Sequence, residues 1–427
     1  MDKIEIRSAK RLKGTIELKG DKSISHRAVM IASIAEGRSR IKNFLKSEDC
    51  LATVMAFQKL GVGIDFSRDE VIVEGRGLRG LSGAGGNIYL GNSGTSMRLL
   101  SGILAGQGFE STLTGDESLS VRPMDRIIKP LRLMGADICG REDRYAPLVI
   151  KGSPLKHIKY KTEVPSAQVK SALILAALYA DGPSEIGESL KSRDHTERLL
   201  SLFGARMVIE DQDITIYDNP VLKGKSISIP GDISSAAFFI VGSLILGGSE
   251  IVIKDLLFNR TRLGIIDVLL DMGADIKVEN KRFNGFEETC DLIIKSSDLK
   301  GVRVGRSIIP SIIDELPVLL VAALFAQGET YIEGAGELRV KETDRIASMT
   351  KALKSMGADI SVSGDDISVK GRASLKGTKL DSLGDHRTAM SLAIASIAAE
   401  GASEIKGIEC VKTSFPDFFD LLDILRR

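Results

Sequence analysis

The 427-residue chain contains no tryptophan, and aromatic residues make up only 5% of it. A platform for stacking nucleic-acid bases is therefore not expected. Its four cysteines, at positions 50, 139, 290 and 410, form no C-x-x-C pair, and its four histidines form no H-E-x-x-H. Neither a disulfide framework nor a zinc site is expected, and the pattern suits a reduced, cytoplasmic protein. Charge of one sign is lacking too: 58 Lys and Arg face 57 Asp and Glu. That balance argues against nucleic acid or a membrane surface as a partner through bulk charge, while leaving room for a local basic pocket. Apolar runs such as residues 316–326 are too short to span a bilayer. The opening MDKIEIRSAKR has no apolar signal core. G-x-x-x-x-G-K-[ST], a helix-opening G-x-G-x-x-G and G-x-S-x-G are all missing, which removes the common nucleotide loops and the hydrolase elbow.

What is present is repetition. An apolar helix followed by Gly occurs as SHRAVMIASIAEG, SMRLLSGILAGQG, VKSALILAALYADG, AAFFIVGSLILGG, LPVLLVAALFAQG and AMSLAIASIAAEG, ending at Gly37, Gly108, Gly182, Gly248, Gly328 and Gly401. The recurrence, roughly every 70 residues, marks a repeat architecture. These helices are apolar on most faces and are expected inside the fold, each Gly serving as the left-handed residue after the helix. The first five are followed by an amphipathic helix that also closes on Gly, at 61, 135, 204, 273 and 357, and then by short alternating strands. The sixth unit ends on FFDLLDILRR, and KIEIRSAK near the start reads as the strand it needs. The expected fold is α/β, with buried helices and the six units divided three to each of two domains. Residues 1–13 with 230–427 form one domain and 20–228 the other. KGTIELKGD and KSISIPGD look alike and mark hinge segments near 12–20 and 228–232.

The residues opening the buried helices are GDKSISHR, GNSGTSMR, PSAQVK, PGDISS, IIDEL and GDHRTAM. Ser, Asp and Asn there are ordinary N-caps, Ser93 and Ser234 among them. Capping does not explain Lys22, Arg27, Arg98 and Arg387, because a cation near a helix N-terminus opposes the macrodipole. An anion held between them does, and phosphate is the expected guest. Helices arranged about pseudo-threefold axes would point these ends the same way, and two facing domains would focus them on one cleft. Lys341 and Arg345 in RVKETDR would share a helix face as like charges, which is unfavourable without an anion between them.

GDKSISHRA, GNSGTSMRL, SAQVKSA, RVKETDR and DHRTAM, in this order and spacing, resemble the EPSP synthase family over the whole chain. The resemblance implies transfer of the enolpyruvyl group of phosphoenolpyruvate to the 5-hydroxyl of shikimate 3-phosphate, with loss of phosphate from a tetrahedral intermediate, in aromatic amino-acid biosynthesis. It implies a two-domain inside-out α/β barrel of six βαβαββ repeats with buried helices and pseudo-threefold symmetry in each domain, no metal and no organic cofactor, two small-molecule substrates, no nucleic acid or membrane, and a monomer. By the family's motifs, Lys22, Ser23, Arg27, Ser166, Gln168, Arg193, Asp314 and Lys341 would bind shikimate 3-phosphate. Lys22, Gly94, Arg122, Gln168, Arg345, Arg387 and Lys412 would bind phosphoenolpyruvate. Asp314, Glu342 and Lys22 would be catalytic, Asp314 acting on the 5-hydroxyl and Glu342 on the methylene. The chain departs from the family pattern at Ala167, where a second Ser is common, at Leu99 and Arg193, and at Lys412, one residue further from its Phe-Pro pair. The related UDP-N-acetylglucosamine enolpyruvyl transferases carry a loop Cys, sometimes Asp, for which GDESLSVRP offers no Cys.

Overall fold

The computed structural model describes residues 2–67, 70–371 and 374–427. The chain divides into two compact units. One contains the chain up to Lys19, Pro230–Phe283 and Glu288–Arg427; the other contains Gly20–Ile229 and Asn284–Glu287.

Among the described residues, each unit holds three apolar helices and three sheets. In the Gly20–Ile229 unit the helices are Lys22–Ser33, Gly94–Ala105 and Ala167–Ala177. In the other they are Ile233–Ile245, Leu316–Phe325 and His386–Ile397. All twelve residues of His386–Ile397 are buried. The strands instead alternate, as in Glu329–Ile332 with Thr330 and Ile332 inward, so each sheet covers the helices with one face and meets water with the other. Helices inside and sheets outside follow directly from that contrast in patterning.

One sheet plan recurs. The strand before a buried helix pairs in parallel with the strand after it, and a hairpin then adds antiparallel strands. Ile88–Tyr89, Glu110–Thr114, Tyr145–Lys151 and Asp137–Arg141 lie side by side in that order. Lys3–Arg7 pairs antiparallel with Ala402–Lys406, completing the unit of the last buried helix. Two strands are exchanged. Lys13–Glu17 precedes the Lys22–Ser33 helix but pairs in parallel with Glu250–Leu257. Ser226–Ser228 precedes the Ile233–Ile245 helix but pairs in parallel with Glu36–Lys42. The look-alike segments thus take equivalent places in opposite units.

The glycines divide into two kinds. After the amphipathic helices, Gly61, Gly135, Gly204, Gly273 and Gly357 all have φ between 85° and 106°, the left-handed conformation that ends a helix. For Gly37, Gly248, Gly328 and Gly401, with φ between 71° and 92°, the left-handed expectation holds, but none of the six directly ends one of the buried helices. These end three to five residues before their Gly, as Ser33 does before Gly37 and Ile397 before Gly401. Gly108 and Gly182 do not have positive φ at all. The glycines of this set turn the chain toward the next strand instead of capping the helix.

The three buried helices of the Gly20–Ile229 unit are capped simply: Asp21 accepts from the Ile24 amide, Ser93 from Ser96 and Ser166 from Val169. Ser234 is not a cap. Asp232 takes that role, accepting from the Ser234 amide at 2.8 Å, because its carboxylate stands two residues earlier. Lys341 and Arg345 do not share a helix face either. Asp344 caps a helix that begins at Arg345, and Lys341 ends the 3-10 turn Gly336–Val340. No single helix among the described residues is long and apolar enough to cross a membrane.

Two buried helices approach closely at Gly102, where a methyl group would stand 2.1 Å from the Ala172 carbonyl oxygen. At Gly242 it would meet only side-chain carbons, the nearest at 3.1 Å. Alanine favours a helix over glycine by about 1 kcal/mol, but overpacking costs about 1–3 kcal/mol. Gly102→Ala should therefore lower stability in urea unfolding, and Gly242→Ala should lie near neutral. Equal effects would contradict this view of the packing.

Candidate active site

The N-terminal turns of the buried helices gather within each unit. In the Gly20–Ile229 unit, Arg98 NH1 donates to Gln168 Oε1 at 2.6 Å and Gln168 Nε2 donates to Thr95 Oγ1 at 2.9 Å. These contacts tie the first turns of Gly94–Ala105 and Ala167–Ala177 together. Buried Arg27 donates to Ser171 Oγ at 2.9 Å, to Thr196 Oγ1 at 2.7 Å and to the Ser23 carbonyl at 2.9 Å. Arg193 NH1 reaches Ser23 Oγ at 3.4 Å. Ser23, Arg27 and Arg193 are thus joined, and Ser166 caps the helix that carries Gln168 and Ser171. Lys22, the first residue of its helix, pairs with Asp49.

Gly94 lies where two guanidinium groups converge. A methyl group there would stand 2.8 Å from Arg98 NH1 and 3.5 Å from Arg122 NH1. Arg122 is held by Asn92 and by Ser118 Oγ at 3.1 Å. These contacts of Arg122, and three of Arg27, run to neutral oxygens and orient the cations. That arrangement favours an anion such as phosphate.

The other unit uses carboxylates. Arg345, with its side chain 2% exposed, donates through Nε to Asp385 Oδ2 at 2.8 Å and through NH2 to Glu342 Oε2 at 2.5 Å; its NH1 lies 3.6 Å from Asp314 Oδ1. Burial pulls the Arg345 ionisation down, and Asp385, Glu342 and Asp314 more than offset it, leaving the guanidinium firmly charged. Asp314 sits in the turn between Ile309–Ile312 and Leu316–Phe325, and Asp385 caps His386–Ile397. One arginine therefore registers the starts of two buried helices and holds two partly exposed acids.

Arg387 differs from all of these. It is 8% exposed, and no acceptor among the described residues meets its guanidinium; its Nε is buried without a hydrogen bond. Its amide donates to Asp385 Oδ1, the same carboxylate whose other oxygen holds Arg345. A buried donor such as this Nε is costly to leave unpaired, and the side chain stands in the first turn of a helix, where an anion is favoured. Lys341 is half-buried beside this cluster in sequence, whereas Lys412 lies exposed on the 3-10 segment Ile408–Thr413. Next to Lys412, Thr413 Oγ1 lies 3.5 Å from His386 Nδ1, at the start of the helix that carries Arg387.

Asp49, Asn92 and Asp385 are the residues that sequence reasoning passed over. Asp385 shows in the sequence as a cap, but its bond to Arg345 spans 40 residues and leaves no local signal. Among the described residues, Asp194, His195 and Glu287 could bring ligand atoms within 4.8 Å of one another. Glu287 already meets His195 Nδ1 at 2.7 Å and Arg198 NH1 at 3.6 Å, and Arg198 also holds Asp194. The group is an ion-paired cluster in which Arg198 occupies the cation's place.

Comparison with known proteins gives one answer throughout. A sequence model of the EPSP synthase family, 3-phosphoshikimate 1-carboxyvinyltransferase, matches residues 6–422. The 3-phosphoshikimate 1-carboxyvinyltransferase of Thermoanaerobacter sp. (strain X514) is 50% identical over 99% of this chain and 100% of its own length. That of Geobacter sulfurreducens is 48% identical over 97% of each. The solved EPSP synthase of Acinetobacter baumannii superposes with a TM-score of 0.89 at 44% identity, covering 100% of this chain and 98% of its own.

The site also carries a pH-sensitive group. His26 is fully buried, with Nδ1 2.6 Å from Thr53 Oγ1. Burial first, then Lys22 and Arg27, hold its ionisation well below the usual histidine range. The unfolded chain protonates this ring below about pH 6.5 while the folded chain resists, so its contribution is whole above that pH and is lost as pH falls further, at up to about 1.4 kcal/mol per unit. His26→Asn should weaken the pH dependence of urea unfolding between pH 7 and 5. An unchanged dependence would contradict the assignment.

Proposed function

The chain belongs to the EPSP synthase family, and from that premise we propose a division of labour among its residues. The reaction itself is enolpyruvyl transfer: the 5-hydroxyl of shikimate 3-phosphate adds to C2 of phosphoenolpyruvate, and phosphate is then eliminated, on the route to the aromatic amino acids.

Shikimate 3-phosphate is held by Lys22, Ser23, Arg27, Ser166, Gln168, Arg193, Asp314 and Lys341. The phosphate meets Ser23, Ser166 and Arg193 at two helix N-termini, with Arg27 behind them supplying charge. Phosphoenolpyruvate is held by Lys22, Gly94, Arg122, Gln168, Arg345 and Arg387. The bare backbone of Gly94 lets the ligand approach between Arg98 and Arg122. Lys412 completes this set on family pattern; it is exposed, and its neighbour Thr413 lies 3.5 Å from His386, at the start of the helix that carries Arg387.

Addition needs a base for the hydroxyl and an acid for the methylene. Asp314 takes the hydroxyl proton and Glu342 gives a proton to the methylene carbon, so that C2 becomes electrophilic as the oxygen attacks. In elimination Glu342 takes a methyl proton back, the bond from C2 to the phosphate oxygen breaks, the departing phosphate receives the proton that Asp314 had taken from the hydroxyl, and the Lys22 ammonium stabilises the resulting dianion. Arg345 keeps the two acids in place through both half-reactions. Proton transfer and charge neutralisation suffice, so the reading includes neither a metal nor an organic cofactor. It has the enzyme act as a cytoplasmic monomer, with no nucleic-acid or membrane partner.

The observation that carries this reading is the Arg387 guanidinium, which meets no acceptor among the described residues and whose Nε is buried, one carboxylate away from the Arg345 cluster. Arg387→Gln should raise the KM for phosphoenolpyruvate about 10- to 100-fold, the scale of one or two charged hydrogen bonds. An unchanged KM would remove Arg387 from the site. Asp314→Ala and Glu342→Ala should each lower kcat about 10²- to 10⁴-fold in a phosphate-release assay, with smaller changes in KM. A rise in KM alone would overturn their assignment as proton-transfer groups.

A further inference from the structure

The Gly20–Ile229 unit contains a buried charged group outside the proposed catalytic machinery. Lys170 Nζ lies 2.7 Å from Glu188 Oε2 and 2.7 Å from Glu197 Oε1, and all three side chains are 2% exposed. One ammonium between two carboxylates leaves a surplus negative charge. Such a group is a poor choice for stability alone, since buried ion pairs are often matched or bettered by apolar side chains of similar volume.

Its connections are more specific than its energetics. Glu188 also accepts from the Ser192 amide at 3.1 Å and from Ser192 Oγ at 2.5 Å. The loop from 188 to 192 is thereby closed on itself, and the next residue is Arg193, which reaches Ser23. Glu197 follows Thr196, whose hydroxyl accepts from Arg27 at 2.7 Å, and Lys170 precedes Ser171, which accepts from the same guanidinium. A single buried ammonium therefore registers the Arg193 loop, the start of His195–Phe203 and the helix capped by Ser166.

We infer that Lys170, Glu188 and Ser192 are positioning residues that set the Arg193 guanidinium for the phosphate of shikimate 3-phosphate, a role that rests on the proposed assignment of Arg193. They touch no substrate. Their effect runs through one substrate and leaves the phosphoenolpyruvate side, built on Gly94 and Arg122, untouched.

The test is steady-state kinetics on the full chain with both substrates varied. Glu188→Ala frees the loop while leaving Lys170 paired with Glu197, so no buried charge is stranded. It should raise the KM for shikimate 3-phosphate about tenfold, within the range of coupled neighbours, with kcat and the KM for phosphoenolpyruvate within about twofold of the parent. Arg193→Ala should raise the same KM, and the double variant should be no worse than Arg193→Ala. A merely structural role would instead change both KM values together or multiply the two effects, and either result overturns the inference. So does a normal KM for shikimate 3-phosphate in Glu188→Ala when Arg193→Ala raises it. A normal value in Arg193→Ala overturns the assignment of Arg193 itself, and the inference with it. Should Glu188→Ala fail to fold, Ser192→Ala, which removes one of the two loop bonds, should raise the same KM about threefold; no change there overturns the inference.

Discussion

Burying three apolar helices side by side, with their N-terminal turns together, is the constraint from which the rest follows. Each helix start carries partial positive charge from unpaired amides. Gathering such starts creates a region that repels cations, yet the sequence places Lys22, Arg27, Arg98 and Arg387 there. Aspartates at the caps, Asp21, Asp232 and Asp385, supply some compensation. The remaining positive character makes each unit a receptor for anions, and the substrates of the EPSP synthase reaction are phosphorylated carboxylic acids.

The two units settle this positive charge differently. In one, Arg27, Arg122 and Arg98 donate to hydroxyls, carbonyls and amide oxygens that orient them. In the other, Arg345 is surrounded by Asp385, Glu342 and Asp314. Neutral partners suit the holding of a phosphate. Carboxylates held by a permanently charged guanidinium suit proton transfer, because their positions stay fixed as protons come and go. Asp314 and Glu342, the two acids proposed for proton transfer, both belong to the unit of Arg345.

Much of this was legible in the sequence because it is local. The six apolar helices declare themselves by composition, the amphipathic ones by a closing Gly, and Ser93 by its place as a cap. Local rules also fail where two of them compete. Ser234 lost the cap to Asp232, and Lys341 never joined the helix of Arg345 because Asp344 starts that helix at Arg345 itself. Partners distant in sequence were not legible. Nothing near Lys170 announces Glu188 and Glu197, and nothing near Lys22 announces Asp49. The likeness of residues 13–21 and 225–232 was visible, whereas the exchange of their strands between units is a property of topology that no pattern along the chain records. The candidate site follows the same division: residue types at helix starts could be read, but which cation keeps its charge depends on acceptors brought in by the fold.

The central claim is that these helix starts are the anion receptors. The most direct measurement is a crystal structure of the protein with shikimate 3-phosphate bound. The account places the phosphate within hydrogen-bond distance of Ser23, Ser166 and Arg193, at the first turns of Lys22–Ser33 and Ala167–Ala177. A phosphate bound elsewhere, with those turns making no contact to the ligand, would contradict it.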